Sequence, residues 1–182
     1  MLSKRRHDGI QDRAFAVREA RAEDVPALAS LHVATFNETH GHRGAPNYAL
    51  REKRWRTAFE RESNWFCYVA EAPDRQLVGF AKGELHDGGV PGFEGELDKI
   101  YVLSAWHRSG IGRALVERVA RRFLEQGIGS MLLFGDARSS SNGFYERLGA
   151  ERLLSPKGEF HGGYGWRDLR RLVPDALSDV WR

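Results

Sequence analysis

The sequence predicts an α/β domain in which a mixed sheet carries helices on its faces, and three observations predict it. Residues 97–123, LDKIYVLSAWHRSGIGRALVERVARRF, read as strand, glycine-containing turn and helix. Strand-like and helix-like patterns interleave along the rest of the chain. At 182 residues, with 41% hydrophobic and 29% charged residues, the chain is long enough for one domain with its own core and too short for two.

Taken in order, residues 1–14 are basic without an apolar stretch, which predicts a tail and not a signal peptide. Residues 15–20 are the first strand, with Phe15 and Val17 on one face. Ala22, Glu23 and Asp24 open a helix to about Phe36, whose apolar stripe is Val25, Leu28, Leu31 and Val33. A polar loop over 37–47 leads to a second helix, 48–62, carrying Leu50, Trp55 and Phe59. Residues 65–71 and 76–85 flank an Ala-Pro-Asp-Arg turn as a hairpin. The glycine-rich loop 87–95 then enters the central strand, 96–103. In the next helix Ile111, Leu115, Val119 and Phe123 step by four along one face, with arginines opposite, and Gly127 ends the run. Residues 131–134 are a short buried strand, 139–148 a helix capped by Gly149, and 150–154 and 164–169 the last strands. The domain is expected over 15–173, with a 174–182 extension.

The turn before the central helix has the chemistry of an anion site. The first N–H groups of a helix have no intrahelical partner, and the helix dipole favours negative charge there. Gly110 and Gly112 allow a phosphate close to the backbone, and Arg108 and Arg113 stand beside the turn. A Walker A loop is excluded because no Gly-Lys-Ser/Thr follows, and a dinucleotide fingerprint because position 115 is Leu115. From the glycines alone, an ordinary strand-to-helix turn explains the residues equally well.

The string His107-Arg108-Ser109-Gly110-Ile111-Gly112 resembles the pyrophosphate loop of the GNAT superfamily, acyl-CoA-dependent N-acyltransferases whose signature is Gln/Arg-x-x-Gly-x-Gly/Ala between a strand and a helix. His107 departs from the usual Gln or Arg. The wider stretch IYVLSAWHRSGIGRALVE is similar to the family almost throughout. The resemblance implies a central, mostly antiparallel sheet of about six to seven strands with about four helices. It implies acetyl-CoA as cosubstrate, held by Tyr101, Val102 and Leu103 along the pantetheine arm and by residues 107–113 at the pyrophosphate, Ile111 included. It further implies backbone N–H groups near Val102 polarising the thioester carbonyl.

Glu96 stands eleven residues before His107, the offset of the catalytic glutamate in the histone-acetyltransferase branch, and is the first candidate base. Glu84, Asp98 and Glu94 are rivals, and a solvated strand-end carboxylate is the plainer reading. Strict alternation sets Glu96, Asp98, Ile100 and Val102 on one face unless a bulge intervenes. The helix ending FYERLG is similar to the family's FYExLGF, which makes Tyr145 the candidate acid toward the leaving thiolate; a packed aromatic is its alternative. The family's CoA-contacting asparagine position is Arg138 here, with Asn142 as substitute. The acceptor region offers Phe36, Tyr48, Phe93 and Phe160, aromatic and not strongly acidic.

Other classes fare worse. A net charge of +3 suits an anionic cosubstrate but not a dedicated nucleic-acid binder, and the arginine row of the central helix is broken by Glu117 and Glu125. The single cysteine, Cys67, excludes an internal disulfide and points to a reducing cytoplasm. No apolar run suffices to span a membrane, and His40-Gly41-His42 lacks companions with ligand spacing, so no metal is expected. The expectation is an N-acetyltransferase acting by direct transfer on a small-molecule amine. The alternatives are a non-catalytic CoA-binding module or a protein N-terminal or lysine acetyltransferase, and the resemblance admits a homodimer.

Overall fold

A computed structural model describes residues 13–41, 47–61 and 64–173. Most of the expected tail, the 174–182 extension, His42 and the last residue of the expected second helix lie outside the described residues. Seven strands form one sheet: β1 (Ala16–Glu19), β2 (Trp65–Glu71), β3 (Leu77–Leu85), β4 (Gly95–Val102), β5 (Met131–Phe134), β6 (Glu151–Leu154) and β7 (Phe160–Trp166). Their spatial order is β1-β2-β3-β4-β5-β7-β6. Only β4 and β5 run parallel; every other neighbouring pair is antiparallel.

Helices cover both faces, because each has an apolar stripe that must leave water. On one face lies α3 (Ile111–Glu125), whose Ile111, Leu115, Val119 and Phe123 enter the larger core with Leu97 and Met131. The short α4 (Asn142–Arg147) packs beside it through Phe144, directly over Gly112, where an added Cβ would come within 3.1 Å of the ring. On the other face lie α1 (Val25–His40) and α2 (Tyr48–Glu60), closing a second core of Val25, Leu28, Trp55 and Phe80.

Several expectations are corrected. The first helix begins with a 3₁₀ turn, Ala22–Asp24, and continues to His40, past the expected end at Phe36, because nothing before Gly41 (φ 73°) breaks it. Its buried face runs through His32 and Thr35, not Val33; Thr35 makes this tolerable by donating its hydroxyl to the Leu31 carbonyl at 2.8 Å. On α2, Leu50 is 43% exposed and Arg51 takes the inward position one turn before Trp55. The fourth helix is shorter than expected, and the last strand is Phe160–Trp166, with Leu169 in a 3₁₀ turn. Its Gly-rich sequence hid it, since glycine has poor strand propensity; here the glycines admit close neighbours, Phe93 lying over Gly165.

A bulge decides which way the central strand faces. Lys82 pairs with Lys99, but the next residue, Gly83, pairs with Leu97, leaving Asp98 as the extra residue of β4. Glu96, opposite Glu84, therefore shares the α1/α2 face with Lys99 and Tyr101, while Leu97, Ile100 and Val102 face α3. The strict alternation that joined Glu96 to Ile100 and Val102 does not hold.

Candidate active site

Strands β4 and β5 pair only at Gly95 with Met131 and Glu96 with Leu132. Beyond Glu96 they separate, β5 turning to β7 while β4 runs on to Val102 along β3. The result is a V-shaped gap with Glu96 at its vertex. Leu103 N–H donates to the Val78 carbonyl at 2.9 Å, so by the alternation of an antiparallel pair Val102 N–H points the other way, into the gap. Of the three expected pantetheine contacts, Val102 offers the gap an N–H, Leu103 has committed its own to β3, and the Tyr101 ring faces the second core against Phe80 and His32.

At the far end of β4 the chain turns through Ser104–Trp106 to α3. His107 Nε2 lies 2.9 Å from the Val102 carbonyl; a carbonyl only accepts, so Nε2 carries the proton and ties the turn to the strand end. Ser109 donates its hydroxyl to the Trp106 carbonyl at 2.6 Å. Arg108 (φ 64°) and Gly110 (φ 90°) take left-handed backbone, which bends the chain into the helix. Ala114 N–H is the first to close a helical bond, to the Gly110 carbonyl at 3.0 Å, leaving those of Ile111, Gly112 and Arg113 at the helix end without intrahelical partners. A Cβ on Gly110 would meet no heavy atom within 4 Å, so the turn is open at that residue. The residues present thus fit a pyrophosphate: backbone donors, a dipole end, and the exposed Arg108 and Arg113, the latter also paired with Glu117 at 2.8 Å.

Glu96 receives a hydrogen bond the sequence did not reveal. His86, its side chain 4% exposed, accepts the Val90 N–H at Nε2 (3.0 Å), which puts its proton on Nδ1, 3.0 Å from Glu96 Oε2. The rival carboxylates are otherwise engaged. Glu84 and Asp98 both grip Lys82, and Asp98 also takes Lys99 at 2.6 Å. Burial works against the Asp98 charge, yet its hydrogen bonds from the two lysines outweigh burial and hold it below the usual carboxylate range. Glu94 is exposed and faces Gly129 N–H at 3.3 Å.

Tyr145 stands on α4, half-buried, with its ring against Phe144, Tyr164 and Trp166. Burial, with smaller pushes from Tyr101 and Tyr164, raises its phenol to about 12, so it remains a proton donor throughout the neutral range. Asn142 gives its amide hydrogens to the Asp136 and Ala137 carbonyls (3.3 and 2.8 Å), holding the β5–α4 loop. Cys67 is buried in β2, and burial pushes its thiol far up, which suits a packed side chain and not a nucleophile.

The four aromatic acceptor candidates do not gather in one place. Phe36 lies under the Arg51 guanidinium at 5.8 Å, and Tyr48 is exposed at the start of α2. Phe93 is buried under Arg167 on one face of β7, while Phe160 stacks against Tyr164 on the other.

His32 is the polar residue that sequence reading missed on the acceptor side. It is 3% exposed, ringed by Trp55, Phe80 and Tyr101, and burial, aided by Arg51 and Lys99, drives its pKa down to about 3 against a weaker opposing effect of Asp98. The folded state therefore binds fewer protons than the unfolded chain between about pH 3 and 6.5, so stability falls as pH drops through that window. Going from pH 7 to 5 should cost about 2 kcal/mol from this group alone. Urea unfolding of wild type and His32→Leu at both pH values checks it: the variant should lose less on acidification.

A model of the acetyltransferase (GNAT) family matches residues 25–150. An uncharacterized N-acetyltransferase of Bacillus subtilis, YuaI, is 31% identical over 169 residues, 86% of this chain and 95% of that protein. The PaiA N-acetyltransferase of Thermoplasma acidophilum, solved in complex with coenzyme A, superposes with a TM-score of 0.61 at 17% identity, over 84% of this chain and 98% of its own. A GNAT-family acetyltransferase of Staphylococcus aureus gives 0.68 at 16% identity, over 86% and 99%. At these identities the two structures speak for the fold.

Proposed function

This chain belongs to the GNAT acetyltransferase family and uses acetyl-CoA, and from that premise we propose that it moves the acetyl group directly to the amine of a small molecule. What carries this reading is the vertex of the strand gap: Glu96 sits where β4 leaves β5, and its hydrogen-bond partner is the His86 imidazole rather than a lysine or arginine. Acetyl-CoA supplies a thioester carbonyl and a sulfur leaving group.

The chain's residues divide the remaining work. The first turn of α3, with Arg108 and Arg113, holds the pyrophosphate, and the Val102 N–H faces the thioester carbonyl. Glu96 takes the ammonium proton of the acceptor, so that nitrogen attacks as the free amine. The new N–C bond forms as C–S breaks; Tyr145 donates its hydroxyl hydrogen to the departing sulfur, the nitrogen sheds its second proton to solvent water, and solvent returns one proton to the Tyr145 phenolate while Glu96 releases the one it took. His86 holds the Glu96 carboxylate in one orientation. Because the Tyr145 phenol is raised to about 12, it enters the reaction protonated at neutral pH.

Initial rates measured over a grid of acetyl-CoA and amine concentrations test direct transfer. Intersecting lines are expected, with Cys67→Ala retaining full turnover. Parallel lines and an isolable acetyl-enzyme would replace this scheme with a covalent one.

A further inference from the structure

Between α2 and the sheet face that carries Glu96 lies a half-open cavity of about 180 Å³, whose lining includes His32, Arg51, Arg54, Trp55, Lys82 and Lys99. Four of its seven lining residues are cationic. The two lysines are matched by Asp98 and Glu84, so the local excess of positive charge comes from the two arginines. Among the described residues no ion pair joins either arginine to a carboxylate.

Two of the lining residues also carry a buried polar atom without a hydrogen-bond partner, His32 Nδ1 and Arg51 Nε, both beneath the cavity's surface. Such atoms are costly when left unmatched. His32 is 3% exposed, and its other neighbours are aromatic rings. What the cavity offers a ligand is the guanidinium groups of Arg51 and Arg54, and a guanidinium binds carboxylate or phosphoryl oxygens well. At roughly 30 Å³ per water, the space holds about six waters, which suits a small group.

We propose that this cavity binds an anionic group of the acceptor, so that the acceptor is a compact amine that also bears a carboxylate or phosphoryl oxyanion. The inference rests on the transfer reading above and narrows it. Across the bulge, Lys99 and Glu96 stand opposite Lys82 and Glu84, two residues apart on β3 and on the order of 7 Å along the strand, so amine and anion lie within one small molecule's reach. A polycationic acceptor is disfavoured by the arginines, and a protein N-terminus or lysine brings no anion to fill the cavity.

The test is calorimetric binding of matched pairs to the CoA-loaded protein: glycine with glycinamide, 4-aminobutyrate with 4-aminobutanamide, and O-phosphoethanolamine with ethanolamine. At least one anionic member should bind ten-fold or more tightly than its neutral partner, and the better pair separates carboxylate from phosphoryl recognition. Arg51→Gln should shrink that preference to under three-fold, with Arg51→Lys restoring part of it. Equal or better binding of every neutral partner, no binding of any anionic member, or a preference untouched by Arg51→Gln overturns the proposal. A second readout, acetylation of the same panel, keeps the two readings apart. Anion-selective binding without transfer refutes the transfer reading and leaves the subsite. Transfer to neutral amines, indifferent to Arg51→Gln, does the reverse.

Discussion

Glu96→Gln is expected to lower kcat/KM for acetyl transfer by about 100- to 10,000-fold, the range for removing a positioned base. Glutamine keeps the length of glutamate, and its amide oxygen still accepts the Nδ1–H of His86, so the vertex of β4 and β5 should keep its shape. Only the ability to take a proton is lost. Acetyl-CoA affinity should be unchanged, because the proposed pyrophosphate site lies at the other end of β4. No other strand carboxylate is free to substitute: Asp98 and Glu84 neutralise Lys82, and Glu94 is exposed at Gly129. Tyr145→Phe should cost less, about ten-fold or more in kcat. Steady-state kinetics with a responsive amine check both. A Glu96→Gln variant within three-fold of wild type would remove Glu96 from the mechanism.

The largest effect on stability is expected from Phe123→Ala, a loss of about 3–5 kcal/mol in unfolding free energy. Phe123 is fully buried and meets Phe66 edge-on at 5.0 Å. Two glycines, Gly83 and Gly95, turn toward these rings: a Cβ on Gly95 would lie 2.8 Å from Phe123, and one on Gly83 2.6 Å from Phe66. Glycines have no side chain to relax into a void, so the site cannot collapse, and the cost belongs at the upper end of the range. Gly95 also makes the first of the two parallel pairs, with Met131, directly before the Glu96–Leu132 pair. Loosening it should therefore reduce activity even where the variant remains folded. Urea unfolding monitored by circular dichroism measures the loss; a change below about 1 kcal/mol would show that the pocket closes.

The residues that carry local patterns could be read from the sequence, and those that depend on register or on tertiary neighbours could not. The turn 107–112 and the stripe Ile111, Leu115, Val119 and Phe123 are written in consecutive residues, and the structure has them as strand, turn and helix. The bulge at Asp98 depends on how β3 pairs with β4, so strict alternation set Glu96 on the wrong face of the strand relative to Ile100 and Val102. His86 meets Glu96 only across that same pairing. His32 and Arg51 violate the apolar pattern of their helices, which is why Val33 and Leu50 looked like the inward residues. Polar residues on a buried face are where pattern reading fails and where a ligand-binding role is most worth seeking. The last strand was displaced because Gly162, Gly163 and Gly165 carry no β signal, although their lack of side chains is what the close neighbours require.

The measurement that bears most directly on the account is thermal unfolding with and without acetyl-CoA, for wild type and a Gly110→Asp variant. Gly110 is left-handed and immediately precedes the free N–H groups of α3, so a carboxylate there both strains the turn and repels a pyrophosphate. Ligand at about a hundred times Kd stabilises a native protein by roughly 2.7 kcal/mol. A clear rise in Tm is expected for the wild type and is lost in Gly110→Asp, although the variant still unfolds cooperatively. A rise of equal size in both would place acetyl-CoA elsewhere and contradict the site described.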